Sequence, residues 1–355
     1  MTRSVAFYLP QFHAIPENDA WWGAGFTDWT NVQAARPLFP GHQQPHRAGS
    51  LGYYDLLDPA VRQAQADLAR QHAISGFCYY HYWFEGKELL ERPLDAVLSS
   101  GKPDFPFCIC WANESWTRRW EGGDRQVLIR QTYSPSDDRR HIERLLPIFA
   151  DSRYLRLDGR PVFLVWRASS LPGPNRTLSM WRDSARAAGV GELMILRVES
   201  FRAERGDPRP LGFDAAVDFQ PDWRQVGWGV ARRLAAWTGR RVGLADLLTP
   251  PYTRVDYAAV AARAVASQNV GYPRFPCVMP GWDNSPRRKR GAIVVEGSTP
   301  ALYREWVEAV LSPAPELMFI NAWNEWGEGC HLEPSAESGA AYLEAHRHAM
   351  RSAKK

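Results

Sequence analysis

The chain has 355 residues, 45% hydrophobic and 23% charged, enough for one large core and within the size of a single α/β barrel with insertions. Its net charge of +4 comes mostly from scattered arginines without a basic arm or tail, which gives no support to nucleic acid as a partner. No apolar run reaches the length of a membrane span, and the five cysteines show neither a Cys-x-x-Cys pair nor zinc-like spacing, so reduced core thiols, no metal and no cofactor are expected.

Met1-Thr2-Arg3-Ser4 leads directly into a strand-like run with no room for a signal peptide, so cytoplasmic residence is expected unless a leader has been removed. Eight short apolar runs follow one another: Val5 to Leu9, Gly76 to Tyr80, Phe107 to Trp111, Val162 to Trp166, Leu193 to Val198, Ala215 to Phe219, Pro276 to Met279 and Leu317 to Ala322. Helical patterns separate most of them: Pro59 to His72, Leu89 to Ser99, Asp137 to Phe149, Met180 to Ala188, Tyr257 to Gln268 and Ala301 to Leu311, with Ser338 to Lys355 closing the chain. The sixth connection offers two candidates, Val230 to Trp237 and Tyr257 to Gln268. Such alternation predicts parallel strands covered on both faces by crossover helices. The expected fold is a single (β/α)8 TIM barrel over residues 1–355, with long loops at its C-terminal face.

Polar and aromatic residues gather just after each strand, where a closed barrel would bring them to one rim. Among them are Gln11 and His13, His81 and Trp83, Asn113, Glu114 and Trp116, Asp283 and Asn284, and the segment Trp323 to Gly329. An open doubly wound sheet would instead show a glycine-rich phosphate turn after the first strand, and Pro10-Gln11-Phe12-His13 is no such turn. In Phe319-Ile320-Asn321-Ala322-Trp323-Asn324-Glu325-Trp326-Gly327-Glu328-Gly329 an apolar run ends in two carboxylates three residues apart, set among indoles and glycines. Glycosidic-bond chemistry requires this combination: one group to handle protons, a second to assist at the anomeric carbon, and flat surfaces for sugar rings. On chemistry alone Glu328 would be the acid, its pKa raised by apolar walls such as Trp323 and Trp326, and Glu325 would stay ionised.

The segments Ala6 to His13, Gly76 to Phe84, Trp111 to Trp116 and Asn321 to Gly329 resemble the WbsX-like proteins. These belong to the glycoside hydrolase family 99-like group, whose founding enzymes are endo-α-mannosidases with a (β/α)8 barrel. The resemblance implies a retaining site in which Glu325 acts on the sugar 2-hydroxyl through a 1,2-anhydro intermediate and Glu328 is the acid/base. Where the mannosidases carry histidine between the acids this chain has Gly327, so mannose specificity does not transfer. Because WbsX-like proteins are associated with surface-polysaccharide gene clusters, a glycosyltransferase of O-antigen, lipopolysaccharide or capsular biosynthesis is the alternative; Arg287-Arg288-Lys289-Arg290 is then its only basic candidate for a diphosphate. A non-catalytic carbohydrate-binding barrel is the third reading. The expected partner is an oligosaccharide or polysaccharide. Expected substrate contacts are Tyr8, Gln11, His13, Trp29, Tyr80, His81, Trp83, Trp111, Asn113, Glu114, Trp116, Asp283, Asn284, Arg287, Trp323 and Asn324. A rival pair, Glu114 as acid/base with Glu325 as nucleophile, follows from the Asn113-Glu114 dipeptide at a strand end.

Overall fold

The computed structural model describes residues 2–118, 123–226, 250–288 and 290–353. Eight parallel strands form its centre: β1 (Arg3–Tyr8), β2 (Gly76–Phe84), β3 (Phe107–Trp111), β4 (Arg160–Val165), β5 (Met194–Val198), β6 (Ala215–Asp218), β7 (Arg274–Val278) and β8 (Leu317–Ile320). Each pairs with its sequence neighbour, and β1 lies between β2 (Phe7 opposite Cys78) and β8 (Val5 opposite Phe319), which closes the ring. The expected TIM barrel is therefore the fold.

Helices Pro59–Gln71, Arg92–Ser100, Pro135–Phe149, Pro174–Ala187, Tyr257–Ala266 and Pro300–Leu311 serve the connections, and Ala341–Ser352 closes the chain. Their starts are written locally. Asp58, Ser134 and Thr299 each cap a helix whose first residue is proline, accepting from the amides of Ala60, Asp137 and Leu302. These caps satisfy exposed N–H groups, and proline suits the first turn because it lacks a donor to satisfy. Between β5 and β6 the structure has only two short 3-10 turns, Arg202–Glu204 and Arg209–Leu211, in a stretch broken by Gly206, Pro208, Pro210 and Gly212. The candidate helix Val230 to Trp237 lies outside the described residues.

Both faces of the barrel strands are buried, so side-chain parity decides which residues look inward. Phe7 packs inside against Tyr80, Phe219 and Phe319, with ring centroids 5.1 to 5.7 Å apart. Trp111 and Phe163 face outward, packing on Trp181 of the helix layer. Each such buried ring contributes roughly 1.5–3 kcal/mol relative to exposure. All five cysteines are free and buried.

Two insertions position the site. The long loop after β1 carries helices Pro16–Trp22 and Asp28–Ala34, which the sequence reading leaves as loop. After β7, strand Trp282–Asp283 joins Ala292–Glu296 and Tyr252–Asp256 in a small sheet. No helix among the described residues is long and apolar enough to cross a membrane.

Candidate active site

A cavity of about 480 Å3 opens at the C-terminal mouth of the barrel. Tyr80, Tyr82 and Phe219 come from the strands and their ends, and Trp22, Trp116, Trp166, Trp223 and Trp282 add further aromatic wall. Glu325, Glu328 and Arg287 enter from the loops after β8 and β7, while Glu114 and Arg167 enter from those after β3 and β4.

The acid pair is organised around one guanidinium. Arg287 Nη2 lies 3.0 Å from Glu325 Oε2, and Nη1 lies 3.3 Å from Glu328 Oε1. Its Nε and Nη2 donate to Asp28 at 3.0 and 2.8 Å. Asp28 also accepts the Gly327 amide at 3.1 Å, tying the β1 loop to the turn Trp326–Glu328 that carries the second acid. Such forked bonds fix a guanidinium in plane and orientation.

Burial pushes the Glu325 carboxyl up to about 8; Arg287 opposes this, while the charges of Glu328 and Asp28 add to it. The ionised Glu325 expected from sequence therefore depends on the opposing charge of Arg287. Nor do the expected indoles supply the apolar wall: Trp323 packs on Phe77 in the core, and Trp326 stacks on His331 at 3.6 Å. Tyr80 and Tyr82 face the acids instead, and burial holds both phenols neutral. Behind Trp326, Glu333 accepts from Trp326 Nε1, Tyr54 Oη and Gln65 Nε2, and burial raises it to about 7.

Of the residues nominated from sequence, Gln11, Tyr80, Asn113, Glu114, Trp116, Arg287, Glu325 and Glu328 line the cavity. Asn113 does so while its amide is engaged by the Arg167 backbone, accepting from N at 2.7 Å and donating to O at 2.9 Å. The others are placed elsewhere. Tyr8 donates to Gln65 on the outer side of β1, His81 meets His141 at 2.9 Å, Trp83 stacks on that same imidazole, and Trp111 packs edge-on against it. In these strands a shift of one residue exchanges cavity for helix layer. His13 is fully buried beside the Pro10 carbonyl, and Trp29 donates to the Tyr54 carbonyl. Trp323 is core. Asn324 pairs with both backbone groups of Leu9, standing in for a strand neighbour. Asn284 accepts from the Ile293 amide, and Asp283 accepts from Gln44 and pairs with His42 at a second cavity of about 430 Å3.

Tyr82, Asp28 and Arg167 are not among the contacts expected from sequence. Tyr82 shares the parity of Tyr80, but in a strand buried on both faces that parity carries no sign of which side is the cavity. Asp28 carries no local signal, because its partner is 259 residues away. Among the described residues no three His, Cys, Asp or Glu side chains are grouped as a metal would require.

The closed eight-stranded barrel has solved counterparts. Over 99% of this chain and 97% of theirs, it superposes on an endo-α-mannosidase of glycoside hydrolase family 99 from Bacteroides thetaiotaomicron, with TM-score 0.59 and 14% identity. A structure described as a glycoside hydrolase-like protein matches equally well, with TM-score 0.59 and 14% identity over 98% of this chain and 93% of that one. At such identity these likenesses define the class of fold. The family described as "Glycosyltransferase WbsX" matches residues 4–346, and the chain belongs to that family. Two proteins described as "Uncharacterized protein WxcX", from two strains of Xanthomonas campestris pv. campestris, are 43% identical over 98% of this chain and 49% of their own length. The chain spans about half the length of these curated relatives.

Proposed function

We propose that this barrel, as one catalytic domain, cleaves or transfers a glycosidic bond of a surface polysaccharide or related glycan with retention of configuration. The observation that carries the reading is the pair Glu325 and Glu328, both in contact with one buried guanidinium at an aromatic-walled cavity of ligand size. Glu325 takes the proton of the sugar 2-hydroxyl as that oxygen bonds to the anomeric carbon. Glu328 gives its proton to the departing glycosidic oxygen. The 1,2-anhydro ring is then opened by water or an acceptor hydroxyl, which yields its proton to Glu328, while Glu325 returns its proton to the sugar oxygen. A base whose proton affinity lies near the working pH suits the first transfer, and the raised Glu325 carboxyl meets that requirement.

A glycosyltransferase acting on a nucleotide sugar is the second reading, supported by the family description. Its expected diphosphate contact begins at Arg287, and that side chain is buried against Asp28, Glu325 and Glu328. A non-catalytic binding barrel is disfavoured by the same construction, since binding alone does not require two acids around one cation. Incubation with defined oligosaccharides and, separately, with nucleotide sugars, followed by mass analysis, tests all three. Product is expected from the oligosaccharides; turnover of nucleotide sugars alone overturns the hydrolase reading, and binding without turnover favours the third.

A further inference from the structure

Arg287 is shared by three carboxylates, and the sharing is unequal. Asp28 takes two forked hydrogen bonds from it. Glu325 Oε2 sits 3.0 Å from Nη2, a close ion pair that falls short of the directional geometry Asp28 enjoys. Asp28 is fully buried in the first turn of helix Asp28–Ala34. A Cβ at Gly327 would lie 2.5 Å from Arg287 Nε and 2.6 Å from an Asp28 oxygen, so the pair fills the space that any side chain at 327 would need. Loops after β1, β7 and β8 are thus locked together at the acids.

We propose that Asp28 is a positioning residue which, by taking the directional bonds of Arg287, leaves Glu325 close to the cation but only partly compensated, and so sets how a proton is shared between Glu325 and Glu328. The consequence for catalysis rests on the acid and base roles proposed above; the consequence for proton affinity does not. Three carboxylates around one guanidinium cannot all ionise cheaply in a buried site. The groups facing Glu325 are Arg287, Asp28, Glu328, Cys330 and, from β2, Tyr80 and Tyr82. Burial keeps the thiol and both phenols neutral, so Asp28 and Glu328 are the negative charges that compete with Glu325 for Arg287. Asp28→Asn keeps the size of the side chain and an acceptor for the Gly327 amide while removing its charge.

The test is a carboxyl titration by NMR on the full chain labelled with 13Cδ-glutamate, the Glu325 resonance being assigned by its loss in Glu325→Gln. Asp28→Asn is expected to lower the proton affinity of Glu325 about tenfold, whereas Asp28→Glu, which keeps the charge, leaves it high. An unchanged midpoint in a natively folded Asp28→Asn, or an equal fall in Asp28→Glu, overturns the proposal. Should Asp28→Asn not fold, Asp28→Ser, smaller and likewise uncharged, carries the same test. With a glycan that is turned over, the acid limb of kcat/KM moves to lower pH in Asp28→Asn. A shifted titration without turnover of any glycan sinks the functional reading alone; an unshifted titration with normal turnover sinks this inference alone.

Discussion

Two arginine–carboxylate clusters face the same cavity. At one, Arg287 joins Asp28, Glu325 and Glu328; at the other, Arg167 joins Glu114 at 2.6 Å and Glu204 at 3.1 Å, with its guanidinium 4.3 Å from the Phe201 ring. The ingredients match; what differs is the acid that meets the cavity. Glu204 is buried off the cavity and also bonded by Ser169, whereas Glu325 is buried and lines the cavity beside solvent-touched Glu328, as Glu114 lines it from the other cluster. The Glu325 side chain is 8% exposed and that of Glu114 is 38% exposed. Where water still reaches a carboxylate, an ion pair is worth little and ionisation is cheap; where water is excluded, the protein must decide where the proton sits. The Arg287 cluster is therefore suited to moving protons, and the Arg167 cluster to orienting hydroxyls.

The largest expected effects break or sustain that division directly. Glu325→Gln and Glu328→Gln should each lower kcat by about 10² to 10⁴ with far-UV circular dichroism unchanged. Glu114→Gln should lower kcat/KM less than tenfold, mainly through KM. A loss in Glu114→Gln as large as in Glu328→Gln, with Glu328→Gln near wild type, would transfer the acid/base role across the barrel to the rival pair.

The barrel was legible because eight apolar runs with crossover lengths between them leave few other topologies, and Phe107–Trp111 is bounded exactly where the run predicts. Parity was not legible. In a strand buried on both faces, Tyr80, His81, Tyr82 and Trp83 read as one aromatic stretch, and nothing local says that the tyrosines face the cavity while His81 and Trp83 face His141. Asn113 and Asn324 look like ligand contacts because their side chains are polar at strand ends, yet both complete irregular backbone where the strands stop. The acids were legible from their own segment. Their electrostatic setting was not, because Asp28 and Arg287 reach them from loops that only the closed ring brings together.

Glycine substitutions sharpen the contrast between the packed acid turn and the open surface. Gly327→Ala forces a Cβ against the Arg287–Asp28 pair and should cost about 1–3 kcal/mol in denaturant unfolding, together with activity. Gly271→Ala has open space around the new carbon and should change stability by less than about 0.5 kcal/mol. Equal costs at both positions would mean that the Arg287–Asp28 pair yields freely, removing it as a lock on the turn.

The pH dependence of stability is the effect most specific to burial. Glu325 holds its proton to about 8 in the folded chain, against an ordinary value of 4.5. Between those limits the folded state keeps a proton that the unfolded state has lost, so the stability this group contributes falls as pH rises from about 4.5 to about 8 and is level beyond. Glu325→Gln has nothing to ionise. Its stability relative to wild type should therefore be lowest near pH 4.5 and climb to a plateau above pH 8, by on the order of 1 kcal/mol, since Glu328 takes part in the same titration. Glu333, also raised by burial, slopes the same way up to about 7 but is present in both proteins and cancels in the difference. Denaturant midpoints measured across this range decide the matter: parallel curves for the two proteins would show that Glu325 meets water as freely as Glu114, and the distinction between the two clusters would then lie in geometry alone.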